Sequence, residues 1–366
     1  MRQHDRDSSE AGVAAEALLA EAGHDRVAVL PVGAGVRHRR PEGAWDGIPW
    51  ISTKFQSIRR WAVPDFSVEA DAGLTMASLN AELAGRGQWL PAGTPDGGAD
   101  TLGGLVSAGL SGVWAGGYGL IRDRILAMTV ATPAFGVVRL GAPVVKNVAG
   151  YNLWRLYWAT HGAFGLILTI TWKLAPLPRA AATLECAGDG PGLAAAFAEA
   201  RRWRSAANAW AALLLNLRGP RWTLAGVAHG GDAHVERLRR ELGATVQPQG
   251  DLGAARAQGC PVAWQARLPL AGLPPFLEWI ARSGAHGLAE LQSGVVWGFR
   301  DSPDPQRLDE VAALARQHGG SFRSLSEPWP APSVPAAEGD MWRRLKASVD
   351  PQGVLPALGG DAEGKR

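Results

Sequence analysis

Cysteine is nearly absent from this sequence: Cys186 and Cys260 are the two in 366 residues. They form neither a CxxC pair nor a spacing suited to zinc, which leaves two isolated thiols in a reducing compartment. Blocks of like charge are missing as well. Lys and Arg together number 37 against 34 Asp and Glu, and the basic residues are scattered, as in "VRHRR", "RLRRE" and "WRRLK", so a nucleic-acid surface has no footprint here. The opening "MRQHDRDSSEAGVAAEALLAEAG" lacks an apolar signal-peptide core and mixes both charge signs. It reads as a short helix of a cytoplasmic protein. Charge itself is missing from Thr101 to Ile121, about the 20 residues of a membrane span. Seven of those positions are glycine, each lowering helix propensity by up to about 1 kcal/mol relative to alanine, and the stretch reads instead as a glycine-rich loop.

What is present is enough apolar material for a sizeable core, 46% hydrophobic against 19% charged residues, in a chain long enough for two domains. The run "LAPLPRAA" with Pro176 and Pro178 separates two styles of sequence. Before it the chain is irregular and punctuated by glycine. After it, "TLEC" reads as a strand, "PGLAAAFAEARRWR" as a helix, "AWAALLLNL" and "RWTLAGVAH" as strands, and "DAHVERLRREL" as a helix with Val235, Leu238 and Leu242 on one face. The same order recurs in "VAWQARL", "LPPFLEWIARSG", "GLAEL", "GVVWGFR" and "DPQRLDEVAALARQHGG", the last with Asp304 as cap, Pro305 in its first turn and Gly319 to close it. Two β-α-β-β-α units imply an antiparallel sheet with helices on one face, a duplicated ferredoxin-like arrangement. The sixteen tryptophans fit core packing or partner-facing surfaces. Trp154, Tyr157 and Trp158, at helical spacing, read as core.

In the first half, "RVAVLPVGAGVRH" is a strand running into Gly33 and Gly35, a pattern that aims main-chain N–H groups into one concavity and can hold a phosphate. It lacks the third glycine of a dinucleotide fingerprint and the Gly-Lys-Ser/Thr of a P-loop. The second loop, "PAGTPDGGADTLGGLVSAGLSGVWAGGYG", sets Thr94, Thr101 and Ser107 among small residues, which suits close approach to a large flat or phosphorylated ligand. "VVKNVAGYNLWRL" is polar for a segment with a core-like surround, so its Lys146 and Asn147 require partners.

These pieces, in the order "PVGAG", "VEADAGLTMASLNAELAGRGQWLPAGTPDGGADTLGGLVSAG", "YGLIRDRIL" and "VVKNVAGYNLWRLYWATHGAFGLI", resemble the FAD-binding domain of the vanillyl-alcohol oxidase and p-cresol methylhydroxylase (PCMH-type) superfamily. Within it they most resemble the FAD-binding E subunit of glycolate oxidase. The resemblance covers about residues 25–178, with "LKASVDPQGVLP" similar to the family's closing segment. It implies an α+β protein: a PCMH-type FAD-binding domain of two α/β subdomains (1–178), a ferredoxin-like α+β cap (179–340), and a segment (341–366) that returns to the FAD domain and ends in disorder. It places Val32, Gly33, Ala34, Gly35 and Val36 at the pyrophosphate loop. Thr94, Pro95, Thr101, Leu102, Gly103, Gly104, Ser107 and Gly112 follow the diphosphate toward the flavin, and Gly162, Gly165 and Ile167 touch the cofactor again. Lys146 would stabilise an anionic reduced flavin from the pyrimidine side, or else face solvent. Ala159 and Thr160 stand where relatives often have Gly-Ser, and Val36 where a Thr or a flavin-linking His occurs, so the FAD is expected to be non-covalent.

Catalytic relatives that oxidise 2-hydroxy acids carry an HxGDGNxH metal motif and a later EHG segment, which supply a base and a cation for the substrate. This sequence offers only "VAHGGDAHVER" and "ARQHGGSF". Of the first, Asp232 reads as a helix cap and His234 as a surface residue of the first turn. No catalytic residue is assigned, and no metal. The resemblance implies a flavin-carrying subunit beside a catalytic FAD subunit and an iron–sulfur subunit, acting on a small 2-hydroxy acid, cytoplasmic and reaching a membrane only through partners. A self-sufficient hydroxy-acid dehydrogenase and a cofactor-free scaffold are the other readings.

Overall fold

The computed structural model describes residues 10–35, 47–95, 99–143, 151–190, 192–206, 210–243, 245–247, 262–299, 306–325 and 339–357. The chain opens with helix α1 (Glu10–Asp25) and a parallel pair, β1 (Val29–Val32) and β2 (Ile48–Ile51). A second layer follows: β3 (Ile58–Ala62), β4 (Ser67–Asp71), α2 (Met76–Ala84), β5 (Gln88–Trp89), α3 (Leu102–Ala108), the short α4 (Ala115–Tyr118), β6 (Ile125–Thr132), β7 (Gly136–Gly141) and β8 (Leu166–Lys173). Five of these strands form an antiparallel sheet in the order β3-β4-β8-β6-β7. Thr75 and Thr101 begin α2 and α3 by accepting the amides of Ser78 and Gly104 on their hydroxyls, which satisfies donors that a helix start otherwise leaves open. The uncharged stretch from Thr101 is therefore not loop throughout, because Thr101 starts a helix whose first glycines pack tightly. No helix among the described residues is long and apolar enough to cross a membrane.

After β9 (Ala175–Pro176), which pairs with β5, the chain enters the cap: β10 (Ala180–Asp189), α5 (Ala194–Ala206), β11 (Ala212–Arg218), β12 (Arg221–Gly230), α6 (Asp232–Leu242) and β13 (Thr245–Gln247). A second pass gives β14 (Val262–Arg267), α7 (Leu273–Ser283), β15 (His286–Glu290), β16 (Val295–Phe299), α8 (Gln306–Gln317) and β17 (Ser321–Ser324). The eight strands run β13-β10-β12-β11-β15-β16-β14-β17. Each unit thus has the ferredoxin-like order and the two meet through the β11–β15 pair. Sequence periodicity misses β13 and β17, short edge strands of three and four residues. Asp304 and Pro305 lie outside the described residues, while Gly319 closes α8 at φ +72°.

The cap sheet is buried on both faces, which explains the continuous apolar run of β11. Helices cover one face, with Leu273, Phe276, Leu277 and Ile280 of α7 at i, i+3, i+4 and i+7. The other face places Leu214, Val227, Leu288, Val295, Trp297 and Phe299 in one core with Leu105, Val106, Trp154 and Tyr157 of the first half. Nine tryptophans are buried among the described residues. The closing helix α9 (Gly339–Val349) and the chain after it return to the start: Val354 accepts the Val29 amide, and Lys346 donates to Ala163 O and Asp350.

Candidate functional site

Three segments converge where β1 ends. Added to Gly33, a Cβ would stand 2.5 Å from the Thr101 hydroxyl at the start of α3, and one on Gly162 would run into the Pro31 ring. At Gly103 it would lie 2.9 Å from Ala72 Cβ, and at Gly112 2.8 Å from Gly93 O. Only glycine permits such approach. Gly35, at φ +70°, faces open space and is exposed with Ala34. The third segment is the turn 159–165, whose Ala159 and His161 amides donate to Val106 O and Ser107 O of α3 at 3.0 Å.

The two glycine loops do not play the same part. Leu102 and Gly103 donate their amides to Leu74 O and Ala72 O (2.9 and 2.8 Å), and Gly104 donates to Thr101. These three residues provide close packing and no open donors. Thr94 donates to Asp100 at 2.7 Å, both buried, on either side of residues outside the described set. Pro95 is buried, Ser107 and Ile167 are half-buried, and Ile167 pairs with Val130 on β6. Val36, Lys146 and Asn147 lie outside the described residues.

Ala159 adopts φ +66° and Gly162 φ +83°. The backbone at Ala159 thus adopts a glycine-type conformation with a methyl side chain in place, a strain of about 1–2 kcal/mol. Gly165 stands against Ala131 O, 2.7 Å from where its Cβ would be. These features fit FAD: an open amide-bearing loop at a strand end, ringed by contacts that any Cβ would fill.

The cap reaches this region with residues that sequence reasoning missed. Arg323 on β17 donates to Ala108 O (2.8 Å) and Gly109 O (2.5 Å), and Gln265 on β14 accepts the Ser111 amide at 2.8 Å. Burial lowers the Arg323 guanidinium to about 10, still charged at neutral pH. Further along the same sheet face, Tyr118 hydroxyl and His229 Nδ1 stand 2.6 Å apart among Trp89 and Trp114. Burial drives His229 down to about 4 and raises Tyr118, the latter opposed by the Arg124 charge. His229 is thus tied to Tyr118, and His234 sits on the first turn of α6 near Arg237. Asp232 is not the cap of α6. Gly231 holds that position without a side-chain bond, and Asp232 is the first helical residue. Among the described residues no group of three or more His, Cys, Asp or Glu could hold a metal. Trp154 and Tyr157 are buried in the shared core, where burial pushes the Tyr157 hydroxyl up to about 12.

Residues 12–141 match the sequence profile of a family described as "FAD binding domain". With the fold, that match defines an FAD-binding domain joined to an α+β cap, in an FAD-dependent oxidoreductase. The chain is 27% identical to the glycolate oxidase subunit GlcE of Escherichia coli (strain K12) over 300 residues, 79% of this chain and 80% of that protein. It is 34% identical to a D-lactate dehydrogenase of Anaerostipes hadrus over 140 residues, which span 38% of this chain and only 29% of that enzyme. In fold it is similar to an alkyldihydroxyacetonephosphate synthase, at a TM-score of 0.65 and 15% identity, over 93% of this chain and 74% of that one.

Proposed function

We propose that this chain is the FAD-carrying subunit of a complex that oxidises glycolate to glyoxylate, beside a catalytic FAD subunit and an iron–sulfur subunit. The observation that carries this reading is the extent of the likeness to a glycolate oxidase subunit, which takes in 79% of this chain. FAD, when bound, supplies the two-electron acceptor. The chain's residues hold it: the Val32–Gly35 loop offers amides to the diphosphate, and Thr101, Gly103, Gly104, Ser107 and Gly112 line its path toward the ring. Gly162 and Gly165 keep the late turn close, and no covalent link is formed. Residues 1–178 act as the FAD-binding unit, 179–340 as a cap, and 341–366 as the returning segment. The resemblance supports Lys146 as the cation that would stabilise an anionic reduced flavin. The sequence lacks the HxGDGNxH motif, which supports a partner as the source of the catalytic base and cation.

The test compares the purified chain alone with the chain co-expressed with its two partners, assaying glycolate turnover with a dye acceptor. The expected result is flavin on the isolated chain, co-purification of three subunits, and turnover by the complex only. Turnover by the isolated chain at the rate of the complex would instead make it a self-sufficient dehydrogenase.

A further inference from the structure

Gln265 and Arg323 face each other across the β14–β17 pair. Both side chains leave the cap on the face turned toward the first half, and both end on the segment 108–111, where α3 closes. Arg323 holds the carbonyls of Ala108 and Gly109, and Gln265 holds the Ser111 amide, with Gln265 and Ser111 both buried. Gly109 is at φ +63°, and a Cβ there would collide with Arg323 and with Ala159 of the late turn. Three segments therefore meet at one residue: the end of α3, the cap edge strand and the turn that closes on the cofactor.

A buried guanidinium is costly unless it is paired. No carboxylate forms an ion pair with Arg323 among the described residues, whose ion pairs are made elsewhere. Its compensation is the carbonyl end of α3, where the helix dipole favours a cation and charge-assisted bonds are strong. Such a contact is specific to one placement of residues 108–111, since a shift of the loop leaves the charge buried without acceptors.

We infer that Gln265 and Arg323 are positioning residues for FAD, through which the cap fixes the path of residues 108–112 along the cofactor. The inference rests on the proposed assignment of Gly112 and its neighbours to the FAD path. It makes the cap part of the cofactor site rather than a cover over it.

The test titrates FAD into full-length apoprotein and follows flavin fluorescence and visible circular dichroism, for wild type, Arg323→Met, Arg323→Lys, Gln265→Leu and Gln265→Glu. Far-UV circular dichroism and a flavin-free melt check that each is folded. Arg323→Met and Gln265→Leu are each expected to raise the FAD Kd about tenfold, the loss of one charge-assisted or buried bond network, and to change the visible flavin dichroism. Gln265→Glu keeps an acceptor for the Ser111 amide and is expected to stay within about twofold of wild type. Arg323→Lys is expected to recover part of the loss. Wild-type affinity and an unchanged flavin spectrum in folded Gln265→Leu or Arg323→Met would overturn the inference. Should Arg323→Met fail to fold, the Gln265→Leu and Gln265→Glu pair decides it. A wild-type protein that takes up no FAD would strike the cradle assignment itself, a different outcome from variants that match a flavin-binding wild type.

Discussion

The first half and the cap solve the problem of holding a backbone in place differently. Among the described residues, the non-glycine positions with left-handed φ are Arg26, Phe66, Ala159 and His161, all before residue 178. In the cap such angles belong to glycines at turns and helix ends, among them Gly219, Gly243, Gly284 and Gly319. The cap is two nearly regular repeats whose geometry follows from strand and helix periodicity. The first half keeps strained turns and contacts that leave no room for a side chain, and Ala159 and His161 set two of them in the turn 159–165 beside α3 and the β1 end. Strain persists where the surroundings over-determine it, commonly at ligand sites. Regular structure here supplies the frame, and the proposed cofactor site lies where regularity stops.

If the cap were only a lid, damage to its inner face would lower stability and leave flavin binding alone. Trp297 is fully buried in the core shared by both halves and lies opposite Gln265. Trp297→Ala is expected to cost about 3–5 kcal/mol in urea unfolding, and to weaken FAD binding as well. A smaller effect separates the halves by pH. His229 titrates at about 4 in the fold against an ordinary 6.5, so between those values the unfolded chain takes up a proton that the folded chain refuses. Stability is therefore full above pH 6.5 and falls as pH drops toward 4. With allowance for its partial exposure the loss is about 1–2 kcal/mol. His229→Gln should flatten that acid limb in melts at pH 7 and pH 4.5.

On the strained side, Ala159→Gly is expected to raise stability by about 1 kcal/mol, by relieving a left-handed alanine, with FAD binding retained. A loss of stability would mean that the Ala159 methyl packing outweighs the strain. The smallest effect lies in the regular half. Gly231 caps α6 with open space at its Cβ position, and Gly231→Ser should gain a few tenths of a kcal/mol, roughly, seen as a small rise in Tm.

The cap was largely legible in the sequence because burial of one helix face and alternation along strands leave periodic traces, as in "LPPFLEWIARSG" and "VAWQARL". Its edge strands were not. "SFRS" is too short to show a period, and so Arg323 passed unnoticed although it bears a charge buried by tertiary contact alone. In the first half the glycines announced tight approach but not its partners. Nothing in "TLGG" says that its amides turn inward to Ala72 and Leu74, since that depends on a β-bridge between Thr75 and Thr101. Asp232 misled for a related reason, because a capping residue type stood one position inside the helix that Gly231 begins.

The most direct test of the cradle is the FAD content of wild type and Gly33→Val after mixing with excess FAD and gel filtration, read from the visible flavin band. The expected result is one FAD per wild-type chain and none on a Gly33→Val chain with unchanged far-UV dichroism. A full equivalent of FAD on folded Gly33→Val would contradict it.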